Sequence, residues 1–143
     1  VLVGILLGSL SLGGCTDNDP ATPATLTCDA TDGPCVWSLG ANAMRLDVRT
    51  IPPRAPGQGP RWQLRVTGMA APSWVILEGR TMFMGTFPVG LNQQDLQDGA
   101  FLIEAPLCTT DSRMQWQLRF DMPGSDGQSI PWIIGLPADA PPP

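Results

Sequence analysis

From residue 28 onward, apolar and polar side chains alternate in short runs with a period of two, the spacing of strands that have one buried and one wet face. Two stretches show it best. Trp62, Leu64 and Val66 share a side opposite Gln63 and Arg65, and Met114, Trp116, Leu118 and Phe120 share a side opposite Arg113, Gln115, Gln117 and Arg119. The pattern predicts strands near residues 35–39, 44–50, 61–68, 73–77, 81–91, 100–106, 113–121 and 130–134. The intervening segments are built from turn formers, among them Pro52-Pro53, Gly57-Gln58-Gly59-Pro60, Gln97-Asp98-Gly99 and Pro123-Gly124-Ser125-Asp126-Gly127. About seven or eight short antiparallel strands punctuated in this way imply an all-β fold, a two-layer sandwich of immunoglobulin-like type spanning residues 28–137. The end, residues 138–143, is Ala-Asp-Ala-Pro-Pro-Pro, which offers nothing to pack and is expected to fray.

Ahead of the domain the pattern is different. Val1 to Leu12 is a continuous apolar run without charge, too short for a comfortable membrane span and of the length of a signal-peptide core. The basic segment that normally precedes such a core is missing, so the chain as given starts inside the signal or renders a non-standard start codon as valine. The run ends in Leu12-Gly13-Gly14-Cys15, which resembles the lipobox of bacterial lipoproteins. That resemblance implies a signal peptide over residues 1–14, cleavage before Cys15, and acylation of its thiol and new amino terminus. Several acyl chains make such attachment durable. Thr16 follows the cysteine where aspartate marks inner-membrane retention, so the resemblance favours the outer membrane. Residues 15–27 then read as a polar, proline-bearing tether that holds the domain off the bilayer.

Composition narrows the function more than it names it. Hydrophobic residues make up 43% of the chain and charged residues 15%, as in a folded domain, while 16 Gly and 16 Pro disfavour long helices. Eight basic residues and a net charge of -5 argue against nucleic acid, whose phosphates need clustered cations. Histidine is absent, which removes imidazole acid–base work, Ser-His-Asp triads and imidazole metal sites. Carboxylate pairs such as Asp95 with Asp98, or Asp121 with Asp126, fall in expected turns, where Asp bonds nearby backbone N–H groups. No catalytic constellation is present, and the chain is read as a non-enzyme.

The remaining chemistry is sulfur. With Cys15 acylated, Cys28, Cys35 and Cys108 are left, an odd number for an oxidising compartment. Cys28 and Cys35 flank a turn-forming loop and are the preferred disulfide; Cys35 with Cys108 is the rival pairing. The preferred pairing frees Cys108. Met82-Phe83-Met84 would place two thioethers on one face of an extended strand, and Met114 follows Cys108 by six residues. Thiolate and thioether ligands suit Cu(I), so Met82, Met84, Cys108 and Met114 are candidate copper ligands. The same methionines also suit a sandwich core.

As an ordered series, Glu78 to Gly85, Gly99-Ala100-Phe101, Ala105 to Cys108 and Ser112 to Trp116 resemble small proteobacterial periplasmic proteins and lipoproteins with an immunoglobulin-like sandwich, and more distantly YtkA- and FixH-like domains. That resemblance implies work beside respiratory-oxidase or copper-handling systems. The resulting expectation is a periplasmic, lipid-anchored protein with a binding or assembly-accessory role toward an envelope protein. The alternative is a Cu(I)-binding accessory protein.

Overall fold

The computed structural model describes residues 25–68, 72–91, 96–97, 100–111, 113–124 and 126–138. The signal segment, Cys15, most of the tether and the proline-rich tail lie outside these residues. Ten strands are described: β1 (Leu26–Asp29), β2 (Cys35–Leu39), β3 (Asn42–Ile51), β4 (Arg61–Gly68), β5 (Trp74–Gly79), β6 (Thr86–Gly90), β7 (Leu96–Gln97), β8 (Ala100–Glu104), β9 (Trp116–Pro123) and β10 (Ser129–Gly135). They form two five-stranded sheets, β1-β10-β9-β5-β6 and β2-β3-β4-β8-β7. The fold is all-β, a sandwich.

Side-chain alternation dictates what lies between the sheets. Trp62 and Leu64 of β4 are buried while Gln63 and Arg65 face outward. On β9, Trp116, Leu118, Phe120 and Met122 point inward, with Arg119 and Asp121 exposed. Trp37, Met44, Leu46 and Ile103 from the second sheet meet Val75, Leu77, Trp132 and Ile134 from the first in one continuous core. Two buried indoles illustrate how it is finished: Trp132 packs edge-on against Phe120 at 5.3 Å between ring centres, and Trp62 donates its N–H to the Pro137 carbonyl at 2.9 Å.

The strands differ from the expected ones in three details. The fold has more strands than anticipated, because β1 and the two-residue β7 carry too little alternation to announce themselves. β1 opens at Leu26 and pairs parallel with β10, Leu26 opposite Trp132 and Asp29 opposite Gly135, so not every pairing is antiparallel and the sheet begins inside the expected tether. Residues 81–91 are not one strand. Strand β5 ends at Gly79, and β6 starts only at Thr86, leaving 80–85 as an irregular connection. Gly85 has φ of +90°, a left-handed conformation that breaks an extended run and favours glycine.

Candidate functional site

The two irregular segments at one end of the sandwich, residues 80–85 between β5 and β6 and residues 105–115 between β8 and β9, lie against each other and hold all four candidate sulfur ligands. Their docking is hydrogen-bonded. Arg80 N–H donates to the Gln115 carbonyl at 2.7 Å, and Gln115 N–H donates to Thr81 Oγ1 at 3.2 Å. On the other side Asp111 caps its own turn, its Oδ1 accepting from Arg113 N–H at 2.9 Å. Gly79 makes the approach possible: a Cβ there would overlap the Met82 carbonyl oxygen and the Met114 methyl group. The bends also explain why the thioethers are not the strand face that the Met-x-Met spacing suggests. Met82 and Met84 reach the same place from a loop.

Cys108 is buried, with 7% of its surface exposed, and is the free cysteine among the described residues. Its thiol donates toward Met84 Sδ at 3.7 Å and lies 3.4 Å from Thr110 Oγ1. The Thr110 hydroxyl in turn donates to Met82 Sδ at 3.6 Å. Thr81 Oγ1 donates to Met114 Sδ at 3.3 Å. Met84, Cys108, Thr110 and Met82 therefore form a chain of contacts in that order, while Met114 is bonded to Thr81. Met84 and Met114 pack partly against the core, and Met82 is 39% exposed, so the cluster has a dry side and an open side. Around the opening, Phe83 is 85% exposed and Leu107 is exposed as well.

The electrostatics favour the ligand form of the thiol. The Thr110 hydroxyl, followed by the backbone N–H groups of Asp111 and Thr110, holds the Cys108 thiol below its usual range, against burial and the Asp111 carboxylate. The distance is also suggestive. Two ligands each about 2.3 Å from a shared ion, at a tetrahedral angle, stand about 3.8 Å apart. The Cys108 and Met84 sulfurs are at 3.7 Å already. Among the described residues no three His, Cys, Asp or Glu side chains gather as an ion site.

The other sulfurs pair as the sequence preferred. Cys28 and Cys35 form a disulfide with 5.9 Å between their Cα atoms, joining β1 in one sheet to β2 in the other. Asp29, next in chain, accepts from Thr31 N–H at 3.0 Å and pairs with Arg80 at 3.3 Å, which ties β1 to the start of the 80–85 loop. Sequence reasoning missed Thr110 and Thr81, the hydroxyls that organise the cluster. The single available signal was the position of Thr110 two residues after Cys108. Comparison with known proteins adds no relative: no protein-family model, curated protein or solved structure matches this chain.

Proposed function

We propose that this protein is a non-enzymatic, lipid-anchored periplasmic protein, carrying an immunoglobulin-like sandwich on the outer membrane, that binds Cu(I) in an accessory role within the envelope. The anchor is Cys15 and the ligands are Cys108 and Met84, completed by Met82 and, after a small shift of its loop, Met114. The observation that supports copper best is the thiol–thioether pair at 3.7 Å, the span of two sulfurs on one ion. The ligand set is soft throughout, which selects a monovalent coinage metal over harder divalent ions. Acylation of Cys15 is supported by the Leu12-Gly13-Gly14-Cys15 motif and the polar segment after it.

Anaerobic titration of the mature full-length chain with Cu(I), against a chromophoric chelator, tests the site. One equivalent should bind, and Cys108→Ser and Met84→Leu should each weaken it. Leucine for methionine nearly conserves volume, so the Met84→Leu domain should melt almost as the parent does. Variants that hold Cu(I) as tightly as the parent would end the copper reading. A second reading, docking of an envelope protein without metal, draws on the exposed Phe83 and Leu107 around the cluster. Crosslinking from position 83 in the native envelope should then trap one dominant partner, whether or not copper is present.

A further inference from the structure

The methionines do not meet solvent equally. Among the described residues Met44 and Met122 belong to the core, 0% and 4% exposed, and Met84 and Met114 pack partly against it. Met82 is 39% exposed. The local chain dictates the difference. Strand β5 ends at Gly79 and β6 begins at Thr86, so residue 82 stands outside the sheet. Arg80 ties this loop down twice, by its ion pair with Asp29 and by its N–H on the Gln115 carbonyl. The thioether is thus presented by a loop that is held in place.

The exposed sulfur is also chemically available. Thr110 Oγ1 donates to Met82 Sδ at 3.6 Å, which engages one lone pair and leaves the second. A soft ion and an electrophilic oxidant both use that second pair, whereas Cys108, the other reactive sulfur, is 7% exposed. With hypochlorous acid the sulfur bonds to chlorine as the O–Cl bond breaks and hydroxide departs. Water then attacks the sulfur, chloride leaves and two protons are released. The thioether becomes a sulfoxide, sulfur losing the two electrons that chlorine gains. Oxygen, a hard donor, now stands where a soft one stood. It is also the stronger hydrogen-bond acceptor, and it draws on the same Thr110 hydroxyl that lies 3.4 Å from Cys108 Sγ. At an exposed position the added polar group costs the fold little.

We propose that Met82 is an oxidative modification site that regulates the sulfur cluster: its thioether completes the Cu(I) site, and its sulfoxide lets the ion go. This regulation rests on the copper reading of the cluster. Exposure directs the oxidant to Met82 and spares the thiol and the half-buried Met84 beneath it, so the first oxidation removes one ligand and leaves the rest of the set intact. Sulfoxide formation at methionine is reversed enzymatically, so the reaction class that restores the site is sulfoxide reduction.

The test treats the mature full-length chain, free of metal, with one equivalent of hypochlorous acid and quenches it with free methionine. Peptide mass spectrometry should find oxygen on Met82 ahead of Met84, Met114 and Cys108. Anaerobic competition with a chromophoric chelator should then show Cu(I) held at least about tenfold more weakly than by untreated protein, the smallest loss that disturbing the surroundings of a metal site normally brings. Methionine sulfoxide reductase should restore both the thioether and the affinity. Met82→Gln, a polar side chain without the sulfur at an exposed position, should hold Cu(I) as weakly as the oxidised protein with no oxidant added. First oxidation at Met84 or Cys108, a Met82 sulfoxide that holds Cu(I) as tightly as the thioether, or Met82→Gln with the affinity of the parent overturns the regulation while the copper site stands. Untreated protein that holds no Cu(I) removes the copper reading and the regulation together.

Discussion

Breaking the Cys28–Cys35 bridge is expected to destabilise the domain by about 2.4 kcal/mol. The bridge spans a sequence separation of 7. Closing so short a loop removes about 8 cal/mol/K from the unfolded chain, which gives that free energy at 25 °C. For a domain of this size about 2.4 kcal/mol corresponds to roughly a 10 °C fall in Tm. The assay is urea unfolding of wild-type protein with and without dithiothreitol, with mass spectrometry to verify that one disulfide has opened. Reduction keeps the side-chain volume at Cys35, which is fully buried, so no cavity term enters.

Two structural details decide how the result is read. The loop is locally bonded, with Thr31 N–H on Asp29 Oδ1 at 3.0 Å and Asp32 N–H on the Asp29 carbonyl at 3.2 Å. If the unfolded chain kept that turn, the bridge would constrain little and reduction would cost well under about 1 kcal/mol. Such a value refutes the entropic reasoning. A loss above about 5 kcal/mol refutes it in the other direction, because the bridge would then be holding the two sheets together instead of restricting the unfolded chain.

Two further substitutions probe the candidate site's framework. Gly79→Ala should cost about 2 kcal/mol in urea unfolding, since the Met82 carbonyl that a Cβ would meet is backbone and cannot rotate away; an unchanged midpoint would show that the 80–85 loop is not held where it is. Asp29→Asn tests pH dependence: hydrogen bonds from Thr31, then Arg80, lower the Asp29 pKa below 3.8. A carboxylate depressed in the folded state stabilises above its unfolded pKa and loses that contribution as pH falls through the folded value. The Tm difference between wild type and Asp29→Asn should therefore be small but steady near neutrality and vanish at the acid end; a difference that grows on acidification would contradict the sign.

Legibility in the sequence followed the strength of the local pattern. Strands β2 and β4 begin and end where alternation placed them, because Trp37, Trp62 and Leu64 are large enough to mark the buried face and Gln63 and Arg65 the wet one. The face of β9 was equally plain, although it starts at Trp116 and runs on to Met122. The run from Thr81 to Leu91 misled for a physical reason: Met82-Phe83-Met84 leads into the alternating Phe87, Val89 and Leu91, and only the φ of Gly85 and the packing at Gly79 divide the two. Strand β1 was invisible because Leu-Thr-Cys-Asp alternates over only four residues, and its partner β10 lies at the far end of the chain. The sulfur residues were nameable from softness alone. Their meeting was not, since Met84 and Cys108 belong to different loops 24 residues apart, and Met82 is joined to Cys108 by a hydroxyl that no motif flags.

The odd cysteine count connects these parts. If the chain is exported and acylated as proposed, Cys15 and the Cys28–Cys35 pair are spoken for, and Cys108 must persist as a thiol in a compartment that oxidises thiols. Exposure would lose it to mixed disulfides, yet complete enclosure would close it to a metal. The structure shows a sulfur that is 7% exposed, beside a thioether that cannot form a disulfide with it. If the 80–85 loop shields the thiol, a bulky reagent would have to move it, whereas an ion bound first by the more exposed Met82 would not. Substituting Phe83 with glycine should accordingly speed alkylation of Cys108 by a bulky maleimide in metal-free protein. An unchanged rate would show that the loop does not guard the thiol.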